Sequence, residues 1–127
     1  MAALSDVYET EVLEWLFTGT TVTRPAAWYI GLFTTDPTDA GTGTEVSGGS
    51  YVREAATFSV TGDTATTTAA IEWPVATANW GTITHVAVHD AATGGNIIAH
   101  AALTNAKTIT TDDVFRIPAG DLDITID

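Results

Sequence analysis

The chain has 127 residues, 45% of them hydrophobic, and carries a formal charge of -12, with 16 acidic against four basic residues. That size and apolar content give one packed domain over 1–127 and exclude wholesale disorder. The negative surface disfavours nucleic-acid backbones and anionic membranes, and the lack of cysteine removes disulfides, thiolate metal sites and thiol nucleophiles together.

From Ser5 to Phe17 the text SDVYETEVLEWLF contains no glycine or proline. Leu4, Tyr8, Val12 and Trp15 recur at helical spacing, Ser5 stands at a capping position, and Asp6 and Glu9 suit the first turn of the helix dipole. Gly19 stands where a left-handed cap would end the helix, so 1–19 is read as a helical N-terminal segment. Its stripe is expected to be buried, either capping one open end of the domain or meeting another subunit.

After Pro25 the period becomes two, and the frequent threonine, about a fifth of the chain, suits half-exposed strands. The run 26–33 carries Trp28, Ile30 and Leu32 on one face and Tyr29 and Phe33 on the other, as a strand covered on both sides would. A glycine-rich loop, 34–50, follows; so long a segment without structure is read as mobile or functional. Strands are then expected at 51–60 (Val52, Ala56, Phe58 and Val60 on one face, Arg53 on the other) and at 69–73 (Ala69, Ile71 and Trp73 together). The run 82–90 sets Val86 and Val88 opposite Ile83, His85, Ala87 and His89, and pairs with 96–103 across a turn. Short strands at 107–110 and 114–117 flank the turn at Asp112 and Asp113. In the last run, 121–127, Leu122, Ile124 and Ile126 point inward. The fold class is therefore mainly β: a two-sheet antiparallel β-sandwich, jelly-roll-like, of seven or eight short strands over 26–127, preceded by one amphipathic helix.

Groups that could do chemistry are few. His85 and His89 lie four apart on a strand, roughly 13 Å, too far for one zinc ion, and His100 on the next strand reaches only one of them. The expected state of all three is partly exposed on strands. Asp36, Asp39 and Glu45 lack the spacing of a calcium loop. Nucleophile-elbow, phosphate-loop and zinc-helix motifs are absent from the sequence. No catalytic residue, cofactor or metal is assigned. An enzyme would need His85, His89 or His100 in a pocket, within hydrogen-bond range of a carboxylate. Trp73-Pro74 and Trp80-Gly81 bracket a loop expected to plug one end of the core; of the tryptophans, Trp80 is the candidate for the alternative, an exposed ring stacking on a sugar. The candidate interface comprises Tyr8, Val12 and Trp15 of the helical stripe with Asp36, Asp39 and Glu45 of the loop.

Three stretches read together, WYIGLFTTDPTDAGTGTEVSGGSYVREAATF (28–58), WPVATANWGTITHVAVHDAATGGNIIAHAAL (73–103) and KTITTDDVFRIPAGDLDITID (107–127), cover most of the chain. With the helix ahead of them they resemble a group of small tailed-phage and prophage virion proteins often labelled tail-fibre-like. The resemblance implies a non-enzymatic structural protein of the virion; the N-terminal text lacks a basic region before an apolar one, so assembly in the host cytoplasm without a signal peptide is expected. Its expected partners are further copies of itself, with a trimer first, and the major capsid or tail proteins of the same phage. Two roles follow: head decoration or cement, favoured by the short chain, and a tail-fibre or tail-adaptor component with a host-surface carbohydrate-binding role.

Overall fold

The computed structural model describes residues 3–125. Strand β1 (Ala3–Leu4) leads into helix α1 (Asp6–Phe17). The rest is β: β2 (Trp28–Phe33), β3 (Glu54–Ala56), β4 (Phe58–Thr61), β5 (Thr64–Thr67), β6 (Ile71–Glu72), β7 (Gly81–His89), β8 (Ile97–Ile109), β9 (Arg116–Ile117) and β10 (Asp123–Thr125). One sheet has the order β1-β8-β7-β2-β3; β10-β5-β4 and β6-β9 form two smaller ones, and every pairing is antiparallel. The arrangement is sandwich-like, as the alternating text implies, but the layer opposite the large sheet is divided in two.

The core lies between these layers. Ile30, Leu32, Val86 and Val88 come from the large sheet, Ile71 and Ile117 from the two-stranded one, and Leu122 lies beside β10, with Phe58 and Ile124 packed against the cluster. Strand β2 is buried on both faces, because Gly31 and Phe33 on the far side are covered as well. That cover is the 34–50 segment. It is not a free excursion: Val46 N–H donates to Leu32 O at 2.9 Å, Thr34 N–H to Thr44 O at 3.0 Å, and Pro37 and Val46 are buried.

Several expectations need correction. The run 51–60 is two strands, β3 and β4, in different sheets, because the chain crosses between layers at Thr57; Val52 and Val60 are left exposed. Strand β5 escaped the alternation test because TATT has almost no apolar signal. Ladder bonds hold it in place, with help from Thr66 Oγ1, which donates to Asp123 Oδ1 at 2.7 Å. The separate strands expected at 96–103 and 107–110 are one, β8, and strands β1 and β5 bring the described total to ten. A register irregularity between Ile83 and His85 turns Ile83 onto the face of Val86 and Val88 instead of the opposite one. Ala69 is exposed and does not share the burial of Ile71 and Trp73. In the last run Leu122 is buried and Ile124 partly so, while Ile126 lies outside the described residues.

Helix α1 forms as its text dictates. Ser5 caps it, its Oγ accepting from Tyr8 N–H at 3.4 Å, and Gly19 at φ 74° follows the Thr18 cap. The same Ser5 is buried and fastens the helix to β8, its N–H donating to Ile98 O at 2.9 Å and its hydroxyl to Ile97 O. The rest of the helix leaves the body, and none of its residues is buried. The stripe therefore does not cap the sandwich, because only the first turn is held and the rest of the 12-residue helix extends about 12 Å beyond it.

Candidate functional site

The most heavily cross-linked polar centre is built around Glu45 and Arg53. A bridge to Phe33 carries Glu45 under the large sheet. Arg53 Nε donates to Glu45 Oε2 at 2.9 Å and Nη2 to Oε1 at 2.8 Å, a fork-on-fork pair. Its Nη1 donates to Ala91 O and Gly94 O, which ties the β7–β8 turn to the same pair. Tyr51 OH donates to Glu45 Oε2 at 2.6 Å and accepts from Leu32 N–H. Burial alone would raise the Glu45 carboxyl, but the Arg53 and Tyr51 bonds and the Arg53 charge outweigh it and hold it below the usual range.

His89 lies beside this centre, 3% exposed and stacked on Phe33 with ring centroids 5.8 Å apart. The expectation of a partly exposed imidazole is overturned at this position, because loop 34–50 lies over the strand. A Cβ on residue 31 would come within 2.6 Å of His89 Nε2, so the glycine there makes room for the ring. Desolvation first, then the Arg53 charge, pushes the imidazole down to about 4, so it is neutral at pH 7. Its Nε2 and the Trp73 indole nitrogen are the buried side-chain nitrogen and oxygen atoms without a hydrogen-bond partner among the described residues. A cavity of about 250 Å³ opens here, lined by Ser5, Asp39, Glu45, Arg53, His89 and Asn96 together with small residues. Its charged groups are already committed to one another, so the centre acts as a clamp between loop, sheet and turn.

A pH signature follows. An unfolded His89 takes up its proton near 6.5, whereas the folded protein resists until about 4. Acidification through that window therefore favours unfolding, by about 3 kcal/mol in total at roughly 1.4 kcal/mol per pH unit. Urea unfolding between pH 7 and 4 should show this slope, and His89→Phe should flatten it.

The other two histidines meet the loop from outside. His100 Nε2 lies 2.7 Å from Asp39 Oδ1, and Asp36 lies 3.9 Å from both His85 Nε2 and His100 Nδ1. Asp39 also accepts the Asp6 N–H of α1 through its backbone oxygen. His100 thus has a carboxylate at hydrogen-bond range, but the Asp36 and Asp39 carboxylates are about half exposed and tie the loop to the β7 and β8 histidines. No group of three or more His, Asp or Glu side chains among the described residues is arranged to hold a metal ion.

The expected interface residues are therefore scattered. Glu45 is turned inward, Asp36 and Asp39 brace the loop, and Tyr8 donates to Asp90 Oδ2 at 2.9 Å. Val12 is exposed, and Trp15 is 61% exposed, beside Leu16, which flanks the stripe, and Leu13 and Phe17, which lie outside it. Leu13, Leu16 and Phe17 stand at offsets of three and one, a second apolar stripe visible in the text. Trp80 is 5% exposed and its indole donates to Gly49 O at 2.9 Å, so it offers no face to a sugar. Substituting Trp15 by Ala should shift the stability of the isolated chain by no more than about 0.5 kcal/mol in thermal unfolding, since the residue is 61% exposed and outside the core.

A protein-family model described as Podophage GP4 fiber I protein gp80 matches residues 3–125. No curated protein matches the chain.

Proposed function

We propose, for a chain that belongs to the podophage GP4 fiber I protein gp80 family and is thereby a structural component of a phage particle, a role as a fibre building block that joins other virion subunits through α1. The observation that carries this reading is the helix itself. It is anchored at its root by Ser5 and Asp6, yet leaves Leu13, Trp15, Leu16 and Phe17 in solvent. Exposed apolar side chains gathered on one short element mark a contact surface. The polar centres, by contrast, are consumed in holding the loop and the helix root, so contacts and not bond-making carry the function. Among the described residues no helix is long and apolar enough to cross a membrane.

The partners of this surface are further copies of the chain or other tail and capsid proteins of the same particle. A head-decoration or cement role is the second reading, favoured by a fold with no extended shaft among the described residues. Copy number separates the two. Quantitative mass spectrometry of purified particles, with a tagged chain located by electron microscopy, should find a few to a few tens of copies at the tail. Hundreds of copies spread over the head would overturn the fibre role in favour of decoration.

A further inference from the structure

We infer that the C-terminal half of α1 docks into a cleft beside Lys107 and Arg116 on a neighbouring copy of the same chain. This rests on the reading of α1 as the joining element. At 3.6 residues per turn, Leu13, Trp15, Leu16 and Phe17 span about 200° of the helix circumference. A helix lying on a flat surface needs an apolar stripe of only about 100°. A helix apolar over twice that arc fits a groove with walls. Such a groove exists on β8, β9 and the segment before β10: a cleft of about 620 Å³ whose apolar lining includes Leu103, Phe115 and Leu122.

Charge selects the occupant. Helix α1 carries Asp6, Glu9, Glu11 and Glu14, has no basic residue in its last turn, and ends on the negative pole of its dipole. Two such helices side by side would set acids against acids. The chain has four basic residues. Arg53 is locked to Glu45 and Arg24 lies over the Trp28 ring, at 5.9 Å. The other two, Lys107 and Arg116, both line the cleft, and among the described residues Arg116 is held only by a 3.9 Å contact to exposed Glu72. Asp121 and Asp123 also line it and keep their charge on the β10 side, so the helix acids are set against the basic pair on the β8 and β9 side. The helix root is tied to the opposite end of β8, at Ile97 and Ile98, so the cleft is filled from another copy.

The cysteine-free chain gives a clean test. Full-length Phe17→Cys mixed with full-length Thr104→Cys should form a mixed disulfide dimer on mild oxidation, both positions being exposed and Thr104 lying on the cleft. In sedimentation, Glu14→Lys should weaken self-association at least tenfold, and mixing it with the Lys107→Glu, Arg116→Glu double variant should restore much of it. Circular dichroism confirms that each variant folds. A dominant Phe17–Phe17 disulfide, or a folded wild-type chain that stays monomeric at tens of micromolar, overturns the inference. If that monomer still enters particles through α1, the joining role stands and the self-contact falls. If the helix-to-cleft disulfide forms but the chain is absent from particles, the contact stands and the fibre role falls.

Discussion

Trp73→Ala should lower the stability of the folded chain by about 3–5 kcal/mol, the range for emptying a buried tryptophan site. Trp73 is 2% exposed and meets Phe115 edge-on, with ring centroids 5.2 Å apart, while its backbone N–H donates to Phe115 O at 3.0 Å. It thus joins the segment after β6 to the one before β9, and its loss leaves a cavity that strands of two residues on each side cannot collapse to fill. For a chain of this length the midpoint of thermal unfolding should fall by roughly 10–20 °C. Trp73→Phe should lose less than half as much, because it keeps the aromatic contact and removes an indole N–H that has no partner. An equal loss in both variants would show that the ring does not carry the packing.

Arg53→Met should cost about 2–4 kcal/mol near pH 7, somewhat below the range for breaking a fully buried ion pair, since the Glu45 side chain keeps 24% of its exposure. The substitution strands the Glu45 carboxylate and frees the carbonyls of Ala91 and Gly94 together. The sign with pH is set by Glu45. Its folded value lies below the ordinary one, so the stabilisation is complete above about 4.5 and is lost as pH falls through the folded value. The penalty of Arg53→Met should therefore shrink in acid. A double-mutant cycle with Glu45→Gln, read by urea unfolding, should return a coupling of about 1.5–3 kcal/mol at pH 7; a coupling near zero would mean that the two side chains act independently.

Local pattern made the helix, the two-faced strand at 28–33 and the β7–β8 hairpin legible, because each depends on side chains at a fixed short period. It failed where the chain changes layer. Between Ala56 and Phe58 the alternation continues unbroken in the text, although the backbone leaves one sheet for another. Strand β5 was invisible because threonine ladders hold it in place of an apolar face. Arg53 looked like an outward residue, since nothing nearby in the sequence reveals that Glu45, eight positions earlier, is folded back beneath it. At Trp80 local text left a core plug and an exposed ring both open, and what decides is a carbonyl 31 residues away, to which the indole is turned in.

By itself the sequence determined that this is an acidic, cysteine-free, mainly β chain with one capped amphipathic helix and no motif of catalysis, and it carried the likeness to phage fibre proteins. These are properties of composition, short-range period and contiguous text. Tertiary structure alone decided which apolar side chains are covered. The helical stripe was expected to be buried, yet Val12 and Trp15 stand in solvent, whereas His89 was expected to be partly exposed and lies within. Burial depends on what long-range pairing brings to each face, and for α1 the bonds that reach the body lie at Ser5, Asp6 and Tyr8, in the cap and first turn, leaving the far turns in solvent.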